Sequence, residues 1–221
     1  MITRTYTVAF QGIEARLVEV QCALNAGMPA FQIVGLPDKA VTEARERVRS
    51  AITAMGLAMP SKKITINMSP ADLPKMGSHF DLPIALALLA AMDVIPAEVA
   101  ERQVAMGELS LDGKLIPVIG ALPAALSAAE ADCDLICPHE CGAEAAWVGA
   151  VQVIAPATLA QCIAHFSGRP PPPAAKPGEA VHHSEGRCTS FVKGPESRKR
   201  AMELPTAAPH HFPLVRLPGT A

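Results

Sequence analysis

The chain has 221 residues, of which half are hydrophobic and 18% are charged, and its formal net charge is −2. Such a sequence can bury a core, and its charge balance excludes an overall basic footprint for nucleic acid while leaving room for a local basic patch. The first residues lack a secretory pattern, and no apolar run reaches the ~18 residues of a membrane helix. We therefore expect a cytoplasmic protein, without membrane contact, whose six cysteines are reduced thiols.

The first third of the sequence predicts three strands and a helix. Strands are expected over residues 3–10, 15–24 and 31–34, where β-branched residues partly alternate with polar ones. Asp38 then stands at an N-cap position. Apolar residues at three-and-four spacing up to Met55 predict an amphipathic helix after it.

The middle of the sequence predicts a strand, a buried helix and a hairpin. Residues 63–68 alternate as a strand does, and residues 80–92 are apolar nearly all round, which indicates a helix inside the core. The dipeptide Asp112-Gly113 predicts a tight turn between strands at residues 103–111 and 114–118, because both residues tolerate a positive φ.

Shorter elements complete the predicted domain. They follow in the order helix, strand, helix, strand, helix, at residues 120–131, near Leu135, and at residues 140–147, 151–154 and 157–166. Because hairpins and helical crossovers are mixed, we predict an α+β domain of two layers over residues 1–166.

A proline-rich stretch follows this domain. Residues 167–187 contain Pro170 through Pro173, then Pro177, and cannot bury enough apolar surface to fold. They predict a stiff, extended linker. Residues 188–221 are therefore a separate segment.

Four stretches of the sequence carry a family resemblance. They read IVGLPDKAVTEARERVRSA at residues 33–51, INMSPADLPK at 66–75, FDLPIAL at 80–86 and GELSLDG at 107–113. These strings closely resemble the N-terminal signature of the YifB/ComM family, which are Mg-chelatase-like AAA+ proteins. The resemblance spans roughly residues 1–166.

The resemblance implies a fold, partners and a function. In that family this region is a Lon-protease-like domain, with the fold of the second domain of ribosomal small-subunit protein 5. A hexameric AAA+ motor that uses ATP and Mg²⁺ follows it, and ComM is implicated in branch migration of DNA during natural transformation. We therefore expect a non-catalytic N-terminal module that organises a homo-oligomer and contacts DNA or a protein partner.

The last residues resemble the entrance to the ATPase module. A Walker-type loop reads G-x-x-x-x-G-K-[ST], but Arg216 occupies its first glycine position and Ala221 its last. Pro218, Gly219 and Thr220 are interpreted as a degenerate remnant of a nucleotide-binding loop. Prolines at positions 205, 209 and 213 also interrupt the helix and strand expected before that loop.

From these features we expect a truncated, degenerate ATPase start that does not hydrolyse ATP alone and binds no cofactor. The alternative is an ATP-dependent DNA-remodelling protein that works with a motor on another chain.

A Lon-like fold raises the possibility of a serine–lysine dyad. Matching the Lon motifs puts His79 at the place of the nucleophilic serine and Ala124 at the place of the lysine. Ser78 could be a displaced nucleophile with His79 as its base, which would make the chain a residual serine hydrolase. Adjacent residues point in different directions, so we expect Ser78 to cap a helix instead, and we predict no catalytic residue.

Soft metal ligands cluster late in the domain. The residue types of a tetrahedral zinc site, cysteine and histidine, are present at Cys133, Cys137, His139 and Cys141. Their spacing differs from the usual C-x₂-C knuckle, so we expect ordinary half-buried residues and no metal.

Charged residues elsewhere allow two interpretations. A phosphate-binding patch would use the basic residues of the predicted first helix and the next strand: Arg45, Arg47, Arg49, Lys62 and Lys63. Because acidic residues interrupt the arginines, and Glu43 and Arg47 can pair at i,i+4, a solvated helix face is the preferred interpretation. Asp72, Asp81 and Glu108 are scattered, and their spacing predicts no carboxylate pair.

Overall fold

The protein is described by a computed structural model that covers residues 2–168 and 175–178. The strands in this part of the chain are β1 (Ile2–Gln11), β2 (Glu14–Asn25), β3 (Ala30–Val34), β4 (Lys63–Ser69), β5 (Gln103–Ala105), β6 (Glu108–Leu109), β7 (Leu115–Ile116), β8 (Asp134–Ile136) and β9 (Val153–Ile154). The α-helices are α1 (Lys39–Ala54), α2 (Asp81–Ala91), α3 (Ala97–Ala100), α4 (Ala121–Glu130), α5 (Gly142–Ala145) and α6 (Leu159–Phe166). Single 3₁₀ turns occupy Ser78–Phe80, His139–Cys141 and Ala146–Val148.

Seven strands form one sheet, in the order β3-β4-β2-β1-β5-β8-β9. β2 pairs antiparallel with both of its neighbours, β1 and β4, and every other pair in this sheet is parallel. Six strands therefore point the same way, and β2 runs against them. β6 and β7 form a separate antiparallel hairpin, as the Asp112-Gly113 turn predicted.

Helices cover both faces of the sheet. Adjacent residues of a strand are buried in different clusters, as Val8 and Ala9 of β1 and Val104 and Ala105 of β5 show. One cluster includes residues of α1, α2 and α6, and the other includes residues of α4 and α5. The prediction of a mixed α and β domain is confirmed. The predicted two-layer arrangement is wrong, because strands buried on both sides need a helical layer on each.

The predicted strand at residues 103–111 is interrupted. It forms two short strands, β5 and β6, because the chain turns at Gly107 toward the start of α2. There the N–H of Gly107 donates to the carbonyl of His79 at 3.0 Å, and its own carbonyl accepts from the N–H of Leu82 at 3.0 Å. The four-residue helix α3 was not predicted, because one helical turn is too short to show a periodic pattern.

Residues 175–178 belong to the predicted linker and contact α5. The N–H of Gly178 donates to the carbonyl of Ala143 at 3.1 Å, and Ala175 packs against the cluster that includes α4 and α5. The remainder of the linker beyond Gly168, and residues 188–221, lie outside the described residues, so the domain boundaries stay a prediction. None of the helices in the described ranges has the length and apolar character to cross a bilayer.

The common strand direction determines where loops gather. The carboxyl ends of the six parallel strands share one edge of the sheet, and ligand sites of open α/β sheets form outside such an edge. The loops that follow β3, β4 and β5 leave from this edge, and they contain parts of the family-like strings, at residues 35–38, 70–75 and 107–113. We therefore expect a functional site at this carboxyl edge.

Candidate functional site

The loops after β3 and β4 are bound to each other by their backbones. Gly35 has φ +106°, and a Cβ atom there would lie 2.1 Å from the carbonyl oxygen of Met68, so glycine is needed for the close approach. The N–H of Asp38 donates to the carbonyl of Lys75 at 3.0 Å, and the N–H of Lys75 donates to the carbonyl of Leu36 at 3.2 Å. The two loops thus form one unit.

Asp38 strengthens this unit with its side chain. Its Oδ1 accepts from the N–H of Val41 at 2.7 Å, which confirms the predicted N-cap of α1. Its Oδ2 accepts from the N–H of Gly77 at 3.1 Å. One carboxylate therefore holds both the start of α1 and the segment that leads into α2.

Arg47 and Asp81 form a bidentate ion pair beside these loops. Arg47 Nε lies 2.6 Å from Asp81 Oδ2 and Nη2 lies 3.0 Å from Oδ1. The Asp81 side chain is fully buried, whereas that of Arg47 is 21% exposed. Asp81 Oδ2 also accepts from the N–H of Leu109 at 3.0 Å, and Arg47 Nη2 donates to the carbonyl of Ala40 at 2.9 Å. The pair therefore joins α1, α2 and β6.

The environment of this pair shifts both ionisation equilibria. Burial raises the pKa of the Asp81 carboxyl, and the bonds from Arg47 and Leu109 oppose that shift. The hydrogen bond to Asp81 raises the pKa of Arg47. Because desolvation offsets much of the Coulombic attraction in a buried pair, its main effect is to hold the three elements in one arrangement.

Arg47 corrects the prediction of a fully solvated helix face. Its guanidinium does pair with Glu43 at 4.0 Å, as the i,i+4 spacing predicted, but its closer partner is the buried Asp81. Arg45 and Arg49 are exposed, and Arg45 pairs with Glu46 at 3.3 Å. The predicted mixed, solvated face therefore holds for Arg45 and Arg49 and is wrong for Arg47.

Ser78 does not cap a helix, contrary to prediction. Its hydroxyl donates to Oε2 of Glu108, and neither the 3₁₀ turn at Ser78–Phe80 nor α2 has a side-chain cap. The carboxylate of Glu108 reaches Ser78 because the chain leaves the sheet after β5, at Gly107.

His79 points into the protein rather than toward Ser78. The residue is 6% exposed, and its Nε2 lies 2.9 Å from the carbonyl oxygen of Val8, to which the neutral ring donates. Phe10 and Phe80 flank it, with ring centroids 5.3 and 4.3 Å away. Burial lowers the pKa of His79, while the Val8 carbonyl opposes this shift. His79 is thus a buried neutral imidazole without a contact to the Ser78 hydroxyl.

Lys75 is a fully buried lysine at the same edge. Its Nζ donates to the carbonyl of Pro70, within the loop that follows β4. Burial lowers the pKa of this ammonium group, and the charge of Asp72 opposes the shift. Ala124, at the one position that the Lon resemblance assigns to the lysine, is a buried residue of α4.

The predicted cysteine and histidine cluster lies along the other helical layer. Cys137 and Cys141 are buried, and the thiol of Cys141 donates to the carbonyl of Val118 at 3.3 Å. His139 Nδ1 lies 3.3 Å from the carbonyl oxygen of Ala155. Burial raises the pKa of Cys137 to about 12, which disfavours the thiolate that a metal needs. In residues 2–168 and 175–178, no three potential ligand side chains gather in a metal-binding group.

The predicted nucleotide-binding remnant, Pro218, Gly219 and Thr220, lies outside the described residues. Within those that are described, Gly113-Lys114 is the single Gly-Lys pair, and it is followed by Leu115 in the β6–β7 hairpin. That hairpin does not fit a phosphate-binding loop, which needs a hydroxyl residue after the lysine at the start of a helix. No step of ATP chemistry is therefore assigned to this part of the chain.

Sequence spacing did not reveal the contacts that define this edge. Asp38, Arg47, Ser78, Asp81 and Glu108, which we call the edge cluster, come from three separate segments. One sequence feature could have located the edge cluster: the family-like strings follow predicted strands. Loops that follow parallel strands meet at one edge of the sheet, so these strings would be expected to lie together. That signal requires the parallel order of β3, β4 and β5, which the sequence did not predict.

Known proteins resemble this chain over nearly its whole length. The profile of the family described as "Subunit ChlI of Mg-chelatase" matches residues 18–141. The chain is 37% identical to "Uncharacterized protein YifB" of Escherichia coli over 97% of its own length and 42% of that protein. It is 36% identical to "Competence protein ComM" of Haemophilus influenzae over 97% of its length and 43% of that protein. An uncharacterized protein of Mycobacterium tuberculosis is 35% identical, with 98% and 43% covered. The chain thus spans about two fifths of the length of these relatives.

Proposed function

Because the chain belongs to the family of Mg-chelatase subunit ChlI, in which YifB and ComM are its relatives, we propose that residues 1–166 form a non-catalytic module of an ATP-dependent protein. The module has the Lon-like fold in this proposal. It organises a homo-oligomer, a hexamer in the intact family, and contacts a protein partner or DNA in the cytoplasm. ATP and Mg²⁺ act in the motor of the intact protein.

One observation carries this proposal: the polar side chains of the edge cluster form hydrogen bonds with each other and with the backbone of neighbouring segments. Asp38 binds two backbone N–H groups, Asp81 binds Arg47 and the N–H of Leu109, and Ser78 binds Glu108. A catalytic group needs a free electron pair or proton directed at a substrate. These groups instead bind neighbouring loops, as the parts of a rigid scaffold do.

The contacts of Ser78 oppose the interpretation as a serine hydrolase. A nucleophilic serine is usually activated by a histidine or lysine that removes its proton, but the Ser78 hydroxyl donates to the carboxylate of Glu108. His79 donates to Val8, and the Nζ of Lys75 donates to Pro70. The structure therefore supports a non-catalytic role over this alternative.

A second candidate function is favoured by one relative. ComM is named a competence protein, and it matches 97% of this chain at 36% identity. We therefore retain the alternative of an ATP-dependent DNA-remodelling protein, active in branch migration and competence, in which the motor is supplied by another chain.

Measuring phosphate release from MgATP by the whole purified chain tests the proposal. We expect a rate equal to the background of heat-denatured protein, with or without single-stranded DNA. Hydrolysis that is lost in Gly219→Ala and kept in the control Gly194→Ala would contradict the proposal. Hydrolysis that appears only when a separate ATPase chain from the same organism is added would favour the second candidate.

A further inference from the structure

An apolar groove lies beside the β1–β2 turn. It has a volume of about 600 Å³ and is bounded by that turn and by the first half of α4. A second cavity of about 410 Å³ shares Ile13, Pro123 and Leu126 with it, so the two lie side by side. Gly120 lets the chain approach the ring of Phe10, because a Cβ atom there would lie 2.5 Å from Phe10 Cζ.

The groove gathers exposed apolar side chains. Ile13 is 92% exposed and Ile119 is 95% exposed. With Leu122 and Leu126, they are four of the twelve large apolar side chains exposed in the described part of the chain. Single exposed apolar residues are normal, but a group that lines one concavity marks a binding surface.

Carboxylates surround this groove. Glu144 lines the first cavity, and Glu14 and Glu130 line the second. All three are exposed, and one oxygen of Glu144 accepts from the N–H of Leu122 at 3.0 Å. Among the residues that the structure describes, Arg16 is the one cation that lines either cavity, and it pairs with Glu14 at 3.8 Å. The rim is thus acidic around an apolar floor.

The groove's walls favour a helical occupant over an extended one. β1 and β2 are interior strands of the sheet, and α4 uses its backbone within the helix, so the described elements that bound the groove offer no open strand edge. An extended peptide needs such an edge, whereas an amphipathic helix inserts side chains spaced by three or four residues into an apolar groove. Leu122 and Leu126 of α4 are themselves four residues apart, which suits helix-on-helix packing.

We propose that this groove binds a basic amphipathic helix of a protein partner, with its apolar side chains on Ile13, Ile119 and Leu126 and its Lys or Arg residues beside Glu14, Glu130 and Glu144. A two-fold contact of the groove with itself is disfavoured, because it would bring these carboxylates against their copies. This inference rests on the proposed function, since it names the partner class of the non-catalytic module.

A model peptide tests the inference on the whole chain. The probe is a fluorescent helical peptide of about 14 residues, built from Leu and Lys with one apolar face, and its affinity is measured by anisotropy. The matched peptide carries Glu at each Lys position. We expect saturable binding of the Leu/Lys peptide at equimolar stoichiometry, and no binding of the Leu/Glu peptide.

Variants locate the binding. Ile119→Asp and Leu126→Asp should each weaken binding by about tenfold or more, since they place a charge in the apolar centre of the contact. The control Leu111→Asp, an exposed apolar residue that lines neither cavity, should change affinity by less than about twofold. Glu130→Gln should weaken binding by about threefold and reduce its dependence on salt.

Three results would overturn the inference. The first is equal binding of the Leu/Lys and Leu/Glu peptides, and the second is an affinity that Ile119→Asp and Leu126→Asp leave unchanged. The third is a dimer in sedimentation that Ile119→Asp dissociates, because a second copy of the chain would then occupy the groove. The phosphate-release assay separates this inference from the proposed function. A chain that hydrolyses ATP and binds the peptide contradicts only the proposed function, and an inactive chain without peptide binding contradicts only this inference.

Discussion

At the carboxyl edge of the sheet, Asp38, Ser78 and Asp81 each bind a neighbouring segment, whereas in the apolar groove Ile13 and Ile119 are more than nine-tenths exposed. The edge cluster contains the groups that ordinarily do chemistry, yet it uses them to join loops. The groove instead has an apolar floor and an acidic rim, which together present the surface and charge that a partner can recognise. Residue chemistry alone is therefore a poor guide to function here, and the contacts of each group decide it.

The largest expected effect comes from the buried ion pair. Arg47→Met should lower the free energy of unfolding by about 3 kcal/mol, because it leaves the fully buried carboxylate of Asp81 without its partner. The loss should shrink as pH falls, since burial raises the pKa of Asp81 and the unpaired carboxylate can take up a proton. Denaturant unfolding at several pH values measures both effects.

Two controls sharpen this prediction. Arg45→Met, on the exposed face of α1, should change stability by less than about 0.5 kcal/mol. The double variant Arg47→Met with Asp81→Asn should recover at least about half of the loss, because it removes the buried charge and keeps an acceptor for the N–H of Leu109. Equal losses in Arg45→Met and Arg47→Met would show that the pair does not hold the loops.

The close approach of the two loops gives the next effect. Gly35→Ala should cost at least about 2 kcal/mol, because the new Cβ atom would lie 2.1 Å from the carbonyl oxygen of Met68 at a positive φ. Gly56→Ala is the matched control, since its φ is +79° and no atom of the described residues lies within 4 Å of the added atom. It should cost only the backbone strain of about 1 kcal/mol. Thermal unfolding of both variants distinguishes contact from strain.

Asp38→Ala should lower stability by about 1–2 kcal/mol. It removes the acceptor for Val41 and also that for Gly77, so both α1 and the following loop lose a contact. Thr158→Ala removes the cap of α6, whose bond to the N–H of Gln161 is 3.3 Å, and should cost about 0.5–1 kcal/mol. Denaturant unfolding measures the loss of stability in both variants. A smaller loss in Asp38→Ala than in Thr158→Ala would argue against the double role of Asp38.

His79 makes stability depend on pH. Burial lowers its pKa below the ordinary value of 6.5, so the unfolded chain binds the proton more readily than the folded chain. Stability should therefore fall as pH decreases below 6.5, by at most about 1.4 kcal/mol per pH unit from this residue. His79→Gln should flatten the unfolding free energy in that range, and an unchanged slope would assign the pH dependence to other groups.

The smallest expected effect on stability comes from the groove. Ile119→Asp should change the free energy of unfolding by less than about 0.5 kcal/mol, because the side chain is 95% exposed and loses almost no burial. Thermal unfolding measures this change. A loss comparable with that of Arg47→Met would mean that the groove belongs to the folded core rather than to a binding surface.

Local sequence patterns predicted the elements better than their contacts. The alternation in β1 and β2, the N-cap at Asp38 and the turn at Asp112 are local features, and the structure confirms them. The second helical layer was not predicted, because the residues that indicate it are spread over several short strands. In a short strand such as β5, adjacent buried residues look like any apolar run and do not show that both faces are covered.

The edge cluster was missed for a related reason. The bond between Arg47 and Asp81 spans 34 residues, and that between Ser78 and Glu108 spans 30. Such pairs depend on which strands are neighbours, and spacing along the chain does not encode that order. The groove likewise joins the β1–β2 turn to α4, two elements more than 100 residues apart.

Labelling Ser78 with a serine-directed fluorophosphonate, read by mass spectrometry of the whole chain, tests most directly whether the edge cluster is a scaffold. We expect Ser78 to stay unmodified at times that fully label a serine hydrolase, because its hydroxyl donates to Glu108 while His79 and Lys75 donate to backbone carbonyls instead. A stoichiometric adduct on Ser78 that disappears in Glu108→Gln, with the fold intact, would contradict it.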